Sequence, residues 1–169
     1  MNYFELFEIS ETLTPDASTI KNRFYELSRK YHPDFYTQSS ESEQSDILEK
    51  AALLNKAYKV FQNKDSLIKY VLIDKGLLVE EEKYELPPEF LMEVMEHNEA
   101  LMEAKMIADK SEMEIVKAGI QKLLFEIYEP VKSIVDNYTQ QKTTTEDLLK
   151  VKQYYFQKKY LDRILAAMH

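Results

Sequence analysis

The chain has no cysteine among its 169 residues. Disulfides, thiolate nucleophiles and thiolate-ligated metal sites are therefore excluded together. Glycine is nearly as scarce, with two residues, and proline occurs five times, which implies long regular elements and few tight turns. No apolar run approaches the roughly 18 residues of a membrane span. Glu5 and Glu8 interrupt what would be the apolar core of a signal peptide, and no Arg- and Ser-rich, acid-poor transit segment is seen. A cytoplasmic protein in its mature form is expected. His32, His97 and His169 are too scattered for metal spacing, so neither a metal nor another cofactor is expected. His169, at the end of the chain, is expected to be disordered.

Positive charge is in short supply overall. The net charge of −8 makes nucleic acid a poor partner for the molecule as a whole. The charges are not spread evenly. Between Ser18 and Tyr31, Lys21, Arg23, Arg29 and Lys30 stand against Glu26 alone. Between Glu80 and Ala104 there are nine glutamates and one lysine, Lys83. Two surfaces of opposite sign point to two different partners.

Helical periodicity fills most of the chain. Ile20, Phe24, Leu27 and Tyr31 lie on one helix face, and Ile47, Ala51, Leu54, Tyr58 and Phe61 on another. Between them sits Tyr31-His32-Pro33-Asp34. Proline lacks a backbone donor and disfavours α geometry at His32, so the first of these helices should stop near Tyr31. An imidazole and a carboxylate are then left on an exposed bend. Asn2 can cap a short first helix with Tyr3, Leu6 and Phe7 inward, Asp16 a helix over about 17–31, and Ser40 a helix over about 41–62. A further short helix over about 65–75 should end in left-handed geometry at Gly76.

His32-Pro33-Asp34, preceded by Asn2-Tyr3-Phe4-Glu5-Leu6-Phe7 and a basic helix, and followed by Ala52-Leu53-Leu54-Asn55-Lys56-Ala57-Tyr58, resembles a J-domain. That is the module by which DnaJ-class co-chaperones act on DnaK-type ATPases. The resemblance covers roughly residues 1–75.

Pro87-Pro88 marks a boundary that no helix crosses without damage. The expected division is a J-domain over 1–76, a linker over 77–87 and a C-terminal three-helix bundle over 88–169. The fold class is all-α, an antiparallel hairpin with short flanking helices followed by an antiparallel bundle. In the bundle, capping boxes are expected at Ser111–Glu114 and Thr143–Glu146. Pro130 is expected to kink rather than end a long helix whose apolar stripe runs from Val116 to Tyr138, and Gly119 is a second weak point in it. The last helix, over about 146–168, is expected to pack through Leu148, Val151, Tyr155, Tyr160, Leu161, Ile164 and Leu165.

At about 100° per residue, the helix over 90–108 carries two apolar stripes. Phe90, Val94, His97, Leu101, Ala104 and Ala108 form one. Leu91, Met95, Met102 and Met106 form another about 130° away, with Met92, Glu96, Glu99 and Glu103 beside it. Either both stripes are core, or the second is a docking face in which flexible thioethers adapt to a partner.

Phe90-Leu91-Met92-Glu93, followed by glutamates at helical spacing, is similar to the start of the C-terminal domain in the HscB family, the J-proteins of iron–sulfur cluster assembly. So is a J-domain followed directly by a helical bundle. The resemblance implies that the bundle binds an IscU-type scaffold protein through Leu91, Met92, Met95, Glu96, Glu99, Glu103 and an aromatic of the last helix, for which Tyr155 is the best match. It implies that His32, Pro33 and Asp34, with Lys21, Arg23, Arg29 and Lys30, engage a DnaK-type chaperone, HscA or DnaK. The other reading kept open is a J-protein that recruits a general DnaK to a different client. An enzyme is not expected. His32 and Asp34 flank a proline on a bend, with no nucleophile in matching context and no third orienting group.

Overall fold

The computed structural model describes residues 1–168; His169 lies outside them. The elements are α1 (Tyr3–Leu6), α2 (Ala17–Lys30), a 3-10 turn (Pro33–Tyr36), α3 (Glu41–Phe61), α4 (Lys64–Asp74), α5 (Pro88–Met106), α6 (Lys110–Asp136) and α7 (Thr145–Ala166), with no strand among the described residues. The fold is all-α.

Two compact units divide the chain. Met1–Val71 with Asp136–Thr143 forms the first, and Leu72–Val135 with the chain from Thr144 onward forms the second. This division falls inside α4, and it gives the connection between α6 and α7 to the first unit. Tyr138 in that connection is buried, and its hydroxyl donates to Glu11 Oε2 at 2.9 Å.

In the first unit, α1 opens on a reciprocal cap. The Glu5 amide donates to Asn2 Oδ1 at 2.8 Å, and the Asn2 amide donates to Glu5 Oε2 at 3.0 Å. Phe4, Leu6 and Phe7 are buried. Tyr3, expected inward, is instead half-buried and stacked on Tyr70 with centroids 4.2 Å apart, and Phe4 takes the inner place against Phe61. The Asp16 carboxylate caps α2 by accepting from the Thr19 amide at 2.9 Å and from the Thr19 hydroxyl at 2.8 Å. Those bonds favour the charged form and hold its pKa below the usual aspartate range. α2 and α3 pack together as antiparallel partners. Phe24 lies edge-on to Tyr58 with centroids 3.9 Å apart, while at the other end the Lys50 ammonium sits 5.0 Å from the centre of the Tyr31 ring. Ile20 and Leu27 of α2, and Ile47, Leu54, Ala57 and Phe61 of α3, are buried. Past the division inside α4, already within the second unit, Gly76 at φ 71 closes the helix in the left-handed region, and the Leu77 amide donates back to the Leu72 carbonyl at 2.8 Å.

The core of the second unit gathers Phe90, Val94 and Leu101 from α5, Val116, Ile120 and Leu123 from α6, and Leu161 and Ile164 from α7. α6 runs through Pro130 without a break. Four local expectations differ from what is found. The amides of Ser111 and Glu112 both donate to Asp109 Oδ1, at 3.0 and 3.2 Å, so Asp109 rather than Ser111 caps α6. Thr144, not Thr143, caps α7 by accepting from the Asp147 amide at 3.1 Å, because the Thr143 hydroxyl already accepts from the Thr139 amide at 3.0 Å. Ala108 leaves the core line because α5 ends at Met106, and φ 52 places Ala108 in the turn. In α7 it is Tyr154, tilted against Tyr128 at 5.3 Å, that is buried, and Tyr155 is half-buried.

His97 and Gly119 interlock α5 with α6. A methyl group built on Gly119 would lie 2.8 Å from His97 Cε1, closer than real carbons pack. Gly119→Ala is therefore expected to destabilise the protein by about 1–2 kcal/mol, despite a helix-propensity gain of about 1 kcal/mol. Denaturant unfolding should show the loss abolished in a His97→Ala background.

The segment over 77–87, expected as a linker, is packed within the second unit. Leu78 is buried, and Leu86 packs against the core. Tyr84 stacks on Phe156 with centroids 4.6 Å apart. Glu82 Oε2 lies 2.7 Å from Lys152 Nζ, and Glu82 Oε1 accepts from the Val79 amide at 3.2 Å. The Lys152 hydrogen bond, ahead of the opposing cost of burial and the further help of the Val79 amide, lowers the Glu82 pKa. A depressed folded-state pKa gives stability that is complete above the unfolded value and is lost as pH falls through the folded one. Glu82→Gln is expected to cost about 1 kcal/mol at neutral pH and nothing once the carboxyl is protonated in both states. Melting curves of both proteins across the acid range check this.

Candidate functional site

α2 ends where the sequence requires. Tyr31, at φ −106 and ψ 25, is its C-cap, and His32 is extended at φ −74 and ψ 127, as a residue before proline should be. Pro33 then opens the 3-10 turn, where its missing N–H costs nothing. The Asp34 amide donates to His32 Nδ1 at 3.2 Å, so the imidazole caps its own turn. That bond requires Nδ1 unprotonated, which leaves the ring hydrogen on Nε2. The 3.6 Å approach of Asp34 Oδ2 to the same nitrogen is an ion pair only in the protonated ring, so cap and ion pair are alternatives. The Tyr36 hydroxyl donates to the Lys30 carbonyl at 2.8 Å and ties the turn to the end of α2. His32, Pro33 and Asp34 are all exposed.

The four basic residues have different immediate surroundings. Arg29 joins His32 and Asp34 along an open groove of about 830 Å³. Lys21 lines a separate hollow with Leu13, Tyr58 and Lys64. Arg23 lies between Glu8, at 3.5 Å, and Glu26, at 3.4 Å. Lys30 lies 5.3 Å from the centre of the Tyr31 ring. Sequence reasoning missed two groove residues, Tyr25 and Phe35, which are 52% and 74% exposed. The signal was available: Phe35 is an aromatic directly after Asp34, and Tyr25 is an aromatic on α2 off the buried line of Ile20 and Leu27. Phe35 stands edge-on to the His32 ring at 6.0 Å.

The second surface lies on α5. Phe90, Val94, Leu101 and Ala104 are buried, so the first stripe is the core stripe. The second stripe is open. Met92 and Met95 are 67% and 57% exposed, Leu91 is half-buried, and Glu96, Glu99 and Glu103 are exposed beside them. Tyr155 on α7 lies edge-on to Phe156 at 5.2 Å. Tyr154 is buried, and Phe156, stacked on Tyr84, is half-buried like Tyr155. Among the described residues, no group of three His, Cys, Asp or Glu side chains is placed to hold a metal ion. No described helix is long and apolar enough to cross a membrane.

Residues 2–70 match the family model described as the DnaJ domain, and residues 86–169 match that described as the HSCB C-terminal oligomerisation domain. A co-chaperone protein HscB homolog of Photobacterium profundum is 30% identical over 142 residues, which are 83% of this chain and 81% of that protein. The chain belongs to the HscB co-chaperone family. The match to the homolog of Vibrio vulnificus strain YJ016 is 38% identical and spans 61% of each protein. The iron–sulfur cluster co-chaperone protein HscB of Homo sapiens is 36% identical over 69% of this chain and 51% of its own length. The crystal structure of the human HscB protein superposes with a TM-score of 0.77 at 27% identity, covering 99% of this chain and 80% of that one. Within this HscB-family chain, the His32 turn lies in the DnaJ-matched segment and the methionine stripe of α5 in the C-terminal one.

Proposed function

We propose that this HscB-family chain is a co-chaperone adaptor of the cytoplasm that catalyses nothing itself. Its His32-Pro33-Asp34 turn, with Arg29, Lys21, Arg23 and Lys30, engages a DnaK-type chaperone of the HscA kind. Leu91, Met92, Met95, Glu96, Glu99, Glu103 and Tyr155 hold an IscU-type iron–sulfur scaffold. The observation that carries the reading is that both surfaces are exposed on one chain: the ring and carboxylate of the turn, and the methionines of α5. Iron–sulfur clients are supported by the name of the human relative.

The cationic side of α2 favours fast, salt-sensitive encounter with an acidic chaperone surface. A turn that binds the hydrolysis-competent arrangement of the ATPase more tightly than the resting one shifts the population towards hydrolysis. The scaffold held on α5 is present at high effective concentration as the chaperone closes. Arg23, already paired with Glu8 and Glu26, contributes less to the encounter than Arg29. The test is ATP turnover by an HscA-type chaperone and by a general DnaK, each with and without scaffold. The chain and scaffold together should stimulate the HscA type beyond the sum of either alone. Stimulation of general DnaK only, indifferent to scaffold, would favour another client.

A further inference from the structure

α5 exposes more apolar surface than Leu91, Met92 and Met95 supply. Met102 and Met106 are 65% and 85% exposed, and Ile107, the C-cap residue, is exposed beyond them. At about 100° and 1.5 Å per residue, Leu91, Met95, Met102 and Met106 fall within about 60° of one another, along a line about 22 Å long. Glu96, Glu99 and Glu103 follow that line on one flank, and none of the three is ion-paired among the described residues. On the other flank, the Lys105 ammonium donates to the Ala167 carbonyl at 2.8 Å. Single exposed apolar residues are ordinary, but a continuous strip of them rimmed by charge is the pattern of an interaction surface, since its area left in water forgoes the free energy of burial.

We propose that the scaffold-binding surface runs the full length of α5. Met102, Met106 and Ile107 make a second apolar contact with the same partner, whose facing strip is apolar and bordered by lysine or arginine on the side of Glu96, Glu99 and Glu103. This rests on the reading of α5 given above. Charge selects the occupant. Two copies of this chain meeting through α5 would bring one unpaired glutamate row against another, a like-charge contact that disfavours self-association.

The test titrates full-length chain with purified IscU-type scaffold by calorimetry. It compares wild type, Met102→Gln with Met106→Gln, and Leu91→Ala with Met92→Ala and Met95→Ala. Glutamine matches methionine in helix propensity, and both sites are exposed, so circular dichroism should be unchanged. The glutamine pair is expected to weaken binding about tenfold, in addition to the loss caused by the alanine set. Wild-type affinity in the glutamine pair, with binding lost in the alanine set, overturns the extension and leaves the shorter site standing. Wild-type affinity in both overturns the scaffold reading of α5 and the extension with it. Wild-type affinity together with a dimer in sedimentation that the glutamine pair dissolves makes the far end of α5 a self-contact and overturns the proposal.

Discussion

His32→Gln is expected to reduce stimulation of chaperone ATP turnover to the unstimulated rate while leaving scaffold affinity unchanged. The side chain is 52% exposed, and its one internal hydrogen bond is the Nδ1 cap on the Asp34 amide, so little of the fold depends on it. Losing a cap costs about 1 kcal/mol, which moves the melting temperature of a chain this size by about 2–4 °C. Stability and stimulation should therefore separate. Glutamine keeps a polar group at the position but loses the planar ring that stands beside Phe35. Thermal melts, scaffold titration and steady-state ATP turnover on one preparation check all three statements. Unaltered stimulation would remove the turn from the mechanism.

Leu91→Ala, Met92→Ala and Met95→Ala together should weaken scaffold binding by about 100-fold or more, since apolar anchors buried on association are worth about 1–2 kcal/mol each. The same triple variant should unfold almost as wild type does, because two of its three side chains lie mostly in water in the free protein. Leu101→Ala supplies the contrast. Leu101 is 4% exposed in the shared core of α5, α6 and α7, and truncating it should cost about 2–5 kcal/mol of stability. A triple variant that melts as Leu101→Ala does would mean that the second stripe is core after all.

Long periodic segments made most of this molecule legible in its sequence. The buried line of Ile20 and Leu27, the stop at Tyr31-His32-Pro33 and the left-handed Gly76 all follow from local chemistry and stand in the structure. What was not legible had competing local solutions or depended on distant partners. A four-residue helix is too short to set a phase, so Tyr3 could be taken for an inward residue although Phe4 is the buried one. Neighbouring residues on a helix differ by about 100°, and that one step separates Tyr154 in the core from Tyr155 at its edge. Ser111 and Thr143 had the spacing of capping boxes, but Asp109 and Thr144 offered oxygens to the same helix ends. The ion pair that ties Arg23 to Glu8 joins residues on different elements, which periodicity does not see.

The openness of the α5 stripe was the decisive ambiguity. A helical wheel shows two apolar lines but not how many neighbours cover them. Phe90, Val94 and Leu101 satisfy the bundle from one side, so the methionine line keeps its solvent exposure.

The most direct measurement mixes the His32→Gln variant with the Leu91→Ala, Met92→Ala, Met95→Ala variant and follows ATP turnover by an HscA-type chaperone at limiting scaffold. If one chain must grip both partners at once, the mixture will fall well short of wild type, because each molecule retains only one working surface. Turnover restored to the wild-type rate by the mixture would contradict that, showing that the two surfaces work without being joined.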